Sequence, residues 1–139
     1  MVFYAKIIKT DGIYLVSFPD MENINTYGDT LEEAQNNASE ALNGALEADF
    51  DREFELPKQN LPEKPGRNLF PIDVYPHIAI SYMLRRLRKN NTQGEIARKL
   101  GISYQAYQKL ENPRKCNPTI KTLEKISSVL NKKLEVSFL

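Results

Sequence analysis

The chain has 139 residues, 41% of them hydrophobic and 27% charged, with a formal net charge of +1. This is the composition of a soluble globular protein with room for one or two small domains, and no apolar run approaches the ~20 residues that a membrane span needs. The single cysteine, Cys116, provides for neither an internal disulfide nor a structural zinc site, so a reducing cytosol is expected.

The charge is unevenly spread. Residues 1–57 carry three basic side chains against twelve acidic, a net of −9, whereas residues 58–139 carry sixteen against six, a net of +10. Such segregation points to two modules with different partners, the basic half being the one suited to nucleic acid. Met1 to Lys6 shows no basic region leading into an apolar core, and no signal peptide is expected.

Residues 2–9 and 13–19 predict a hairpin, being rich in β-branched and aromatic side chains on either side of Thr10-Asp11-Gly12. Pro19-Asp20 ends the second strand, and a loop with a short extended piece at 24–26 follows. Thr30 and Glu33 are spaced as a capping box for a helix whose apolar face is Leu31, Ala34, Ala38, Ala41, Leu42, Ala45 and Leu46. The acidic run from Glu47 to Glu55 closes that helix, and Pro57 stops it. Residues 57–68 read as an exposed loop or linker. Residues 69–75 are expected to add an edge strand containing Pro71. The domain boundary falls near Pro76.

Beyond it, Ile80, Met83, Leu84 and Leu87 form a helical stripe. Thr92 and Glu95 cap a second helix that turns Ile96, Ala97 and Leu100 inward and ends at Gly101. Ser103 caps a third, with Ala106, Tyr107 and Leu110 inward. Asn112-Pro113 breaks it, and Thr119 opens a fourth with Leu123, Ile126 and Leu130. Residues 134–139 alternate with period two and predict a terminal strand. The expected fold is thus an α+β N-terminal domain over 1–75, a small antiparallel sheet with one helix, followed over 76–139 by an all-α domain ending in a β-strand.

Helix, glycine turn, helix is the geometry that sets a second helix in the major groove. The residues Thr92-Gln93-x-Glu95-Ile96-Ala97-x-x-Leu100-Gly101-Ile102-Ser103, then Leu110-Glu111-Asn112, resemble the helix-turn-helix of the Cro and phage-repressor (XRE) family. Gly94 departs from that pattern, since a better helix former is usual there. The resemblance implies DNA-contacting roles for Gln93, Ser103, Tyr104, Gln105, Gln108, Lys109, Asn112, Arg114 and Lys115. Gln105 is the candidate for direct readout, because an amide pairs bidentately with adenine. Lys109 suits guanine or phosphate, Gln93 a phosphate, and Asn112, Arg114 and Lys115 the backbone. Leu134, Val136 and Phe138 are dimerisation candidates, paired across a twofold axis.

The first half carries a second signature. Gly12-x-Tyr14-x-Val16-x-Phe18-Pro19-Asp20, then Thr26-x-Gly28-Asp29-Thr30-x-Glu32-Glu33-Ala34 and Ala38-x-x-Ala41-Leu42, is similar to the HicB antitoxin family. That resemblance implies a partial RNase H-like N-terminal domain. It also implies a partner, a small basic mRNA-cleaving ribonuclease toxin of the HicA type, and many members add a C-terminal DNA-binding domain. Asp20, Glu22, Glu47, Asp49, Asp51, Glu53 and Glu55 are candidate toxin contacts, since an acidic surface speeds capture of a basic partner.

The chain is therefore expected to be a cytoplasmic antitoxin and autorepressor that binds a HicA-like toxin and double-stranded operator DNA as a homodimer or larger oligomer. No catalytic residue, cofactor, metal or membrane partner is expected. The alternative is a stand-alone repressor with an acidic ligand- or protein-sensing domain. A two-metal nuclease needs a carboxylate cluster, for which Asp11 and Asp20 are poorly placed. His77 and Cys116 lie in different segments and make an unpersuasive base and nucleophile, although Arg114 and Lys115 are placed to lower the cysteine's pKa.

Overall fold

The computed structural model describes residues 1–52, 56–59 and 64–139. They form two compact units, Met1–Pro76 and His77–Leu139. Among the described residues no helix is long and apolar enough to cross a membrane.

In the first unit, β1 (Val2–Thr10) and β2 (Ile13–Ser17) pair antiparallel around a two-residue turn. Asp11 has φ 51° and Gly12 φ 85°. Two successive left-handed residues make a type I′ turn, whose twist matches that of the strands it joins, and Asp-Gly is the pair that tolerates it. β3 (Asn25–Gly28) adds antiparallel to β2, and β4 (Leu69–Asp73) adds antiparallel to β1, giving the order β3-β2-β1-β4. Pro71 sits in edge strand β4, where a residue without an N–H is tolerated.

Helix α1 (Leu31–Ala48) packs on one face of this sheet. Phe3, Ala5 and Ile7 of β1, Val16 of β2 and Ile72 of β4 are buried, as are Ala34, Ala38, Leu42 and Leu46 of α1. The approach is close at Gly28, where an added Cβ would lie 2.4 Å from the Ala34 nitrogen. The Thr30 hydroxyl accepts from the Glu33 N–H at 3.1 Å. The returning bond differs from the expected box by one residue, because the Glu33 carboxylate accepts from the Asp29 N–H at 3.2 Å.

The helix stops at Ala48 and passes into a 3₁₀ turn, Asp49–Arg52, instead of continuing along the acidic run. One buried polar side chain was not foreseen. The Asn43 amide donates to the carbonyls of Ser39 and Asp73 and accepts from the Tyr75 N–H at 2.8 Å, which ties the end of β4 to α1.

The second unit contains α2 (Pro76–Leu87), α3 (Gln93–Leu100), α4 (Tyr104–Leu110) and α5 (Ile120–Val129). Its core joins Leu84, Ile96, Ala97, Tyr107, Leu110 and Ile126, with Ile80, Leu100, Ile102, Val129 and Leu130 packed against them. Three inward assignments are corrected. Met83 and Leu87 are exposed while Ile78, Ala79 and Tyr82 are buried, so the buried face of α2 is rotated from the expected stripe. Ala106 is likewise exposed, although it lies one turn before the buried Leu110.

The expected terminal strand is also corrected. Residues 132–139 form no strand and pair with none of β1–β4, because a lone edge has no ladder without a second strand beside it.

Candidate nucleic-acid interface

Three local devices fix the helix-turn-helix. Thr92 and Glu95 make a complete capping box at the start of α3, each accepting from the other's backbone N–H at 3.1 and 3.2 Å. Gly101 ends α3 with φ 69° and ψ 30°, the left-handed cap that glycine adopts without steric cost. Ser103 then opens α4, its hydroxyl accepting from the Ala106 N–H at 3.1 Å.

The orientation of α4 is held from inside. Tyr107 and Leu110 are buried in the core, and the Glu111 carboxylate, 1% exposed, follows at the helix C-cap. Arg88, just after α2, grips it bidentately. Its Nε donates at 2.6 Å and its Nη2 at 2.9 Å to the two carboxylate oxygens, while Nη1 donates to the Asn91 carbonyl at 3.0 Å. One guanidinium thus ties the end of α2, the turn into α3 and the end of α4. The Glu111 hydrogen bond raises the Arg88 pKa above its ordinary value, with burial opposing it.

With the inner side so anchored, the outer side of α4 presents Tyr104, Gln105, Gln108 and Lys109, which share one face by their three- and four-residue spacings. The Gln108 amide donates to the Tyr104 hydroxyl at 3.0 Å. Among the described residues Gln105 has no side-chain hydrogen-bond partner, so its amide donor and acceptor both face solvent. Gln93 occupies the first position of α3 and is half-buried. Asn112, Arg114 and Lys115 follow α4 in a turn organised by the Asn112 carboxamide oxygen, which accepts from the Arg114 N–H at 3.0 Å. Arg114 and Lys115 are exposed.

Cys116 lies between those cations and α5, and their placement does not lower its pKa. It is buried, and desolvation pushes its pKa up to about 11. The sequence reading also missed the Arg88–Glu111 pair. Glu111 carried the available signal, an acid directly after the inward Leu110 in a strongly basic half.

The acidic candidates belong to the first unit. Asp20 and Glu22 lie in the loop after β2, Glu22 exposed, and Glu47 and Asp49 lie half-buried around the C-terminus of α1. Asp51 falls in the 3₁₀ turn, and Glu53 and Glu55 lie outside the described residues. No group of three or more His, Cys, Asp or Glu side chains suited to a metal ion occurs among the described residues.

Comparison with known proteins agrees with this division. Residues 3–68 match the family described as HicB_like antitoxin of bacterial toxin-antitoxin system, and residues 83–136 match a helix-turn-helix family. Antitoxin HicB 1 of Photorhabdus laumondii is 30% identical over 127 residues, covering 91% of this chain and 79% of its own length. The chain belongs to the HicB antitoxin family. An uncharacterized 14.9 kDa protein from the rep-hol intergenic region of Haemophilus phage HP1 is 40% identical over 60 residues, 43% of this chain and 45% of that protein. This HicB-family antitoxin thus joins an α+β antitoxin unit to a DNA-binding helix-turn-helix unit.

Proposed function

We propose that this antitoxin silences a small, basic, mRNA-cleaving ribonuclease of the HicA type by occlusion, using residues 1–75. Residues 76–139 bind operator DNA and repress the operon that encodes both proteins. The observation that carries this reading is the polar outer face of α4, held by a core-anchored Tyr107 and a bidentate Arg88–Glu111 pair in a chain of the HicB family. A reading helix needs that combination of rigid inner side and hydrogen-bonding outer side. Gln105 reads a base, Lys109 a base or phosphate, and Gln93, Ser103, Tyr104, Gln108, Asn112, Arg114 and Lys115 complete the contact.

On the other unit, the net negative charge of residues 1–57, with Asp20, Glu22, Glu47, Asp49, Asp51, Glu53 and Glu55 as candidate contacts, attracts a partner whose own RNA-binding surface is positive. Occlusion requires no bond-making, and the mechanism assigns this chain no catalytic residue.

The test pairs two readouts on one variant. Gln105→Ala, with an unchanged circular dichroism spectrum, is expected to weaken binding to the DNA upstream of its own gene by about 1–3 kcal/mol, a factor of roughly 5 to 150. The same variant is expected to rescue growth fully when co-expressed with the product of the short basic open reading frame beside it. Retained operator affinity overturns the role of Gln105. Absence of such a toxin, or failure of the wild-type chain to neutralise it, overturns the antitoxin reading of this chain.

A further inference from the structure

Two of the exposed side chains of α4 are bound to each other. The amide nitrogen of Gln108, Nε2, donates to the Tyr104 hydroxyl at 3.0 Å, across one turn of the helix. A carboxamide has a donor end and an acceptor end of nearly the same shape, and an exposed one presents either. Here the choice is made by a neighbour. The nitrogen faces Tyr104, so the oxygen, Oε1, is left on the side away from the ring, on a side chain that is itself exposed.

Tyr104 can hold the amide because its own freedom is small. A tyrosine has only two side-chain torsions, and this ring stands beside the first turn of α3, where a Cβ added at Gly94 would lie 4.0 Å from Tyr104 Cδ2. Gly94 leaves that space open, which gives its departure from the helix-turn-helix pattern a reason. Gln105 is the contrast. Its amide has no side-chain partner among the described residues and turns to suit the base it meets.

The two ends of an amide are not equivalent in the major groove. Adenine N6 and cytosine N4 are donors there, whereas guanine O6 and thymine O4 are acceptors. An amide held with its oxygen outward accepts from the first pair and opposes an acceptor in the second. Resting on the role proposed above for α4, we infer that Tyr104 is a positioning residue, whose hydroxyl holds the Gln108 amide so that Oε1 selects a base carrying an exocyclic amino group. Discrimination at that base then belongs to two side chains, of which Gln108 makes the contact and Tyr104 sets its direction.

The test compares the unmodified chain with Gln108→Ala, Tyr104→Phe and the double variant, each with an unchanged circular dichroism spectrum. Their affinities are measured on the DNA upstream of the gene with every base pair replaced in turn. Gln108→Ala is expected to lose discrimination at one base pair of each recognition element. Tyr104→Phe, which keeps the ring, is expected to relax the same base pair and no other by a factor of about 2 to 13, the worth of one hydrogen bond. The double variant is expected to lose nothing more than Gln108→Ala. Deleting the amino group at that position, with purine for adenine or pyrimidin-2-one for cytosine, is expected to weaken the unmodified chain by a similar factor and to leave Gln108→Ala unaffected. Gln108→Glu, with an acceptor at both ends, is expected to restore the preference in the Tyr104→Phe background.

Equal weakening of operator and random duplexes by Tyr104→Phe, or relaxation of a different base pair, overturns the positioning role. Indifference of the unmodified chain to loss of the amino group, or no recovery with Gln108→Glu, overturns the direction assigned to the amide. An unmodified chain that binds none of these duplexes fails the DNA-binding reading itself, so the two failures are distinct.

Discussion

At the scale of single residues, the exposed face of α4 depends on groups buried beneath it. The Arg88–Glu111 pair is 23 residues apart in sequence and nearly dry at its acidic end. Arg88→Ala leaves the Glu111 carboxylate buried without its partner, and an expected loss of about 3–5 kcal/mol would appear as an earlier denaturation midpoint. Tyr107 presents the opposite case. Its ring is fully buried, but its hydroxyl makes no well-formed hydrogen bond and sits in the field of the Glu111 carboxylate; burial and that carboxylate both push the phenol pKa up. Tyr107→Phe is therefore expected to keep or raise stability, whereas Tyr107→Ala is expected to cost about 3–5 kcal/mol, both read by denaturant titration. Cys116 yields a pH prediction. Its folded pKa, about 11, lies above the ordinary thiol value of 9.0, so folding favours the neutral thiol. That contribution is complete below about pH 9 and fades as pH rises towards 11. Thiol labelling by a disulfide reagent at pH 8 should accordingly be far slower in the native chain than in the unfolded one.

At the scale of elements, two glycines separate packing from propensity. Gly28 ends β3 directly against the first turn of α1, and a methyl group there meets backbone atoms of Ala34 at 2.4 and 2.8 Å. Backbone cannot rotate away as a side chain can, so Gly28→Ala is expected to destabilise the first unit by about 1–3 kcal/mol. Gly94 sits in the first turn of α3 with only ordinary contacts near 4 Å, and its φ is not in the left-handed region. Gly94→Ala is expected to stabilise by up to about 1 kcal/mol by restricting the unfolded chain. Calorimetry on both variants checks these opposite signs. The elements most readable from sequence were those with a local cause, namely the Asp11-Gly12 turn, the Thr92–Glu95 box, the Gly101 cap and the edge strand with Pro71. What escaped depends on distant partners. Nothing near Asn43 marks it as an acceptor for Tyr75, and the rotated face of α2 follows from what packs on it. For the candidate site, residue types and their helical spacing were legible, while the anchor beneath them was not.

At the scale of the whole molecule, the opposed charges of the two halves make ionic strength the probe that sorts roles within the interface. Each phosphate neutralised by a cation releases counterions, and the log–log dependence of binding on salt steepens by about 0.9 per contact. Arg114 and Lys115 are exposed beside the end of α4 and are assigned to phosphates, whereas Gln105 is uncharged and assigned to a base edge. The two kinds of contact leave different signatures. Arg114→Ala combined with Lys115→Ala is expected to weaken binding to specific and random duplexes alike and to flatten the salt dependence by about 1.8. Gln105→Ala is expected to weaken binding to the operator alone and to leave the slope unchanged, because no counterion is released at an amide. Fluorescence anisotropy on both duplexes across a salt series measures both quantities at once. An unchanged slope in the double variant would place these cations away from the backbone, and a flattened slope in Gln105→Ala would mean that α4 sits on the duplex in another orientation.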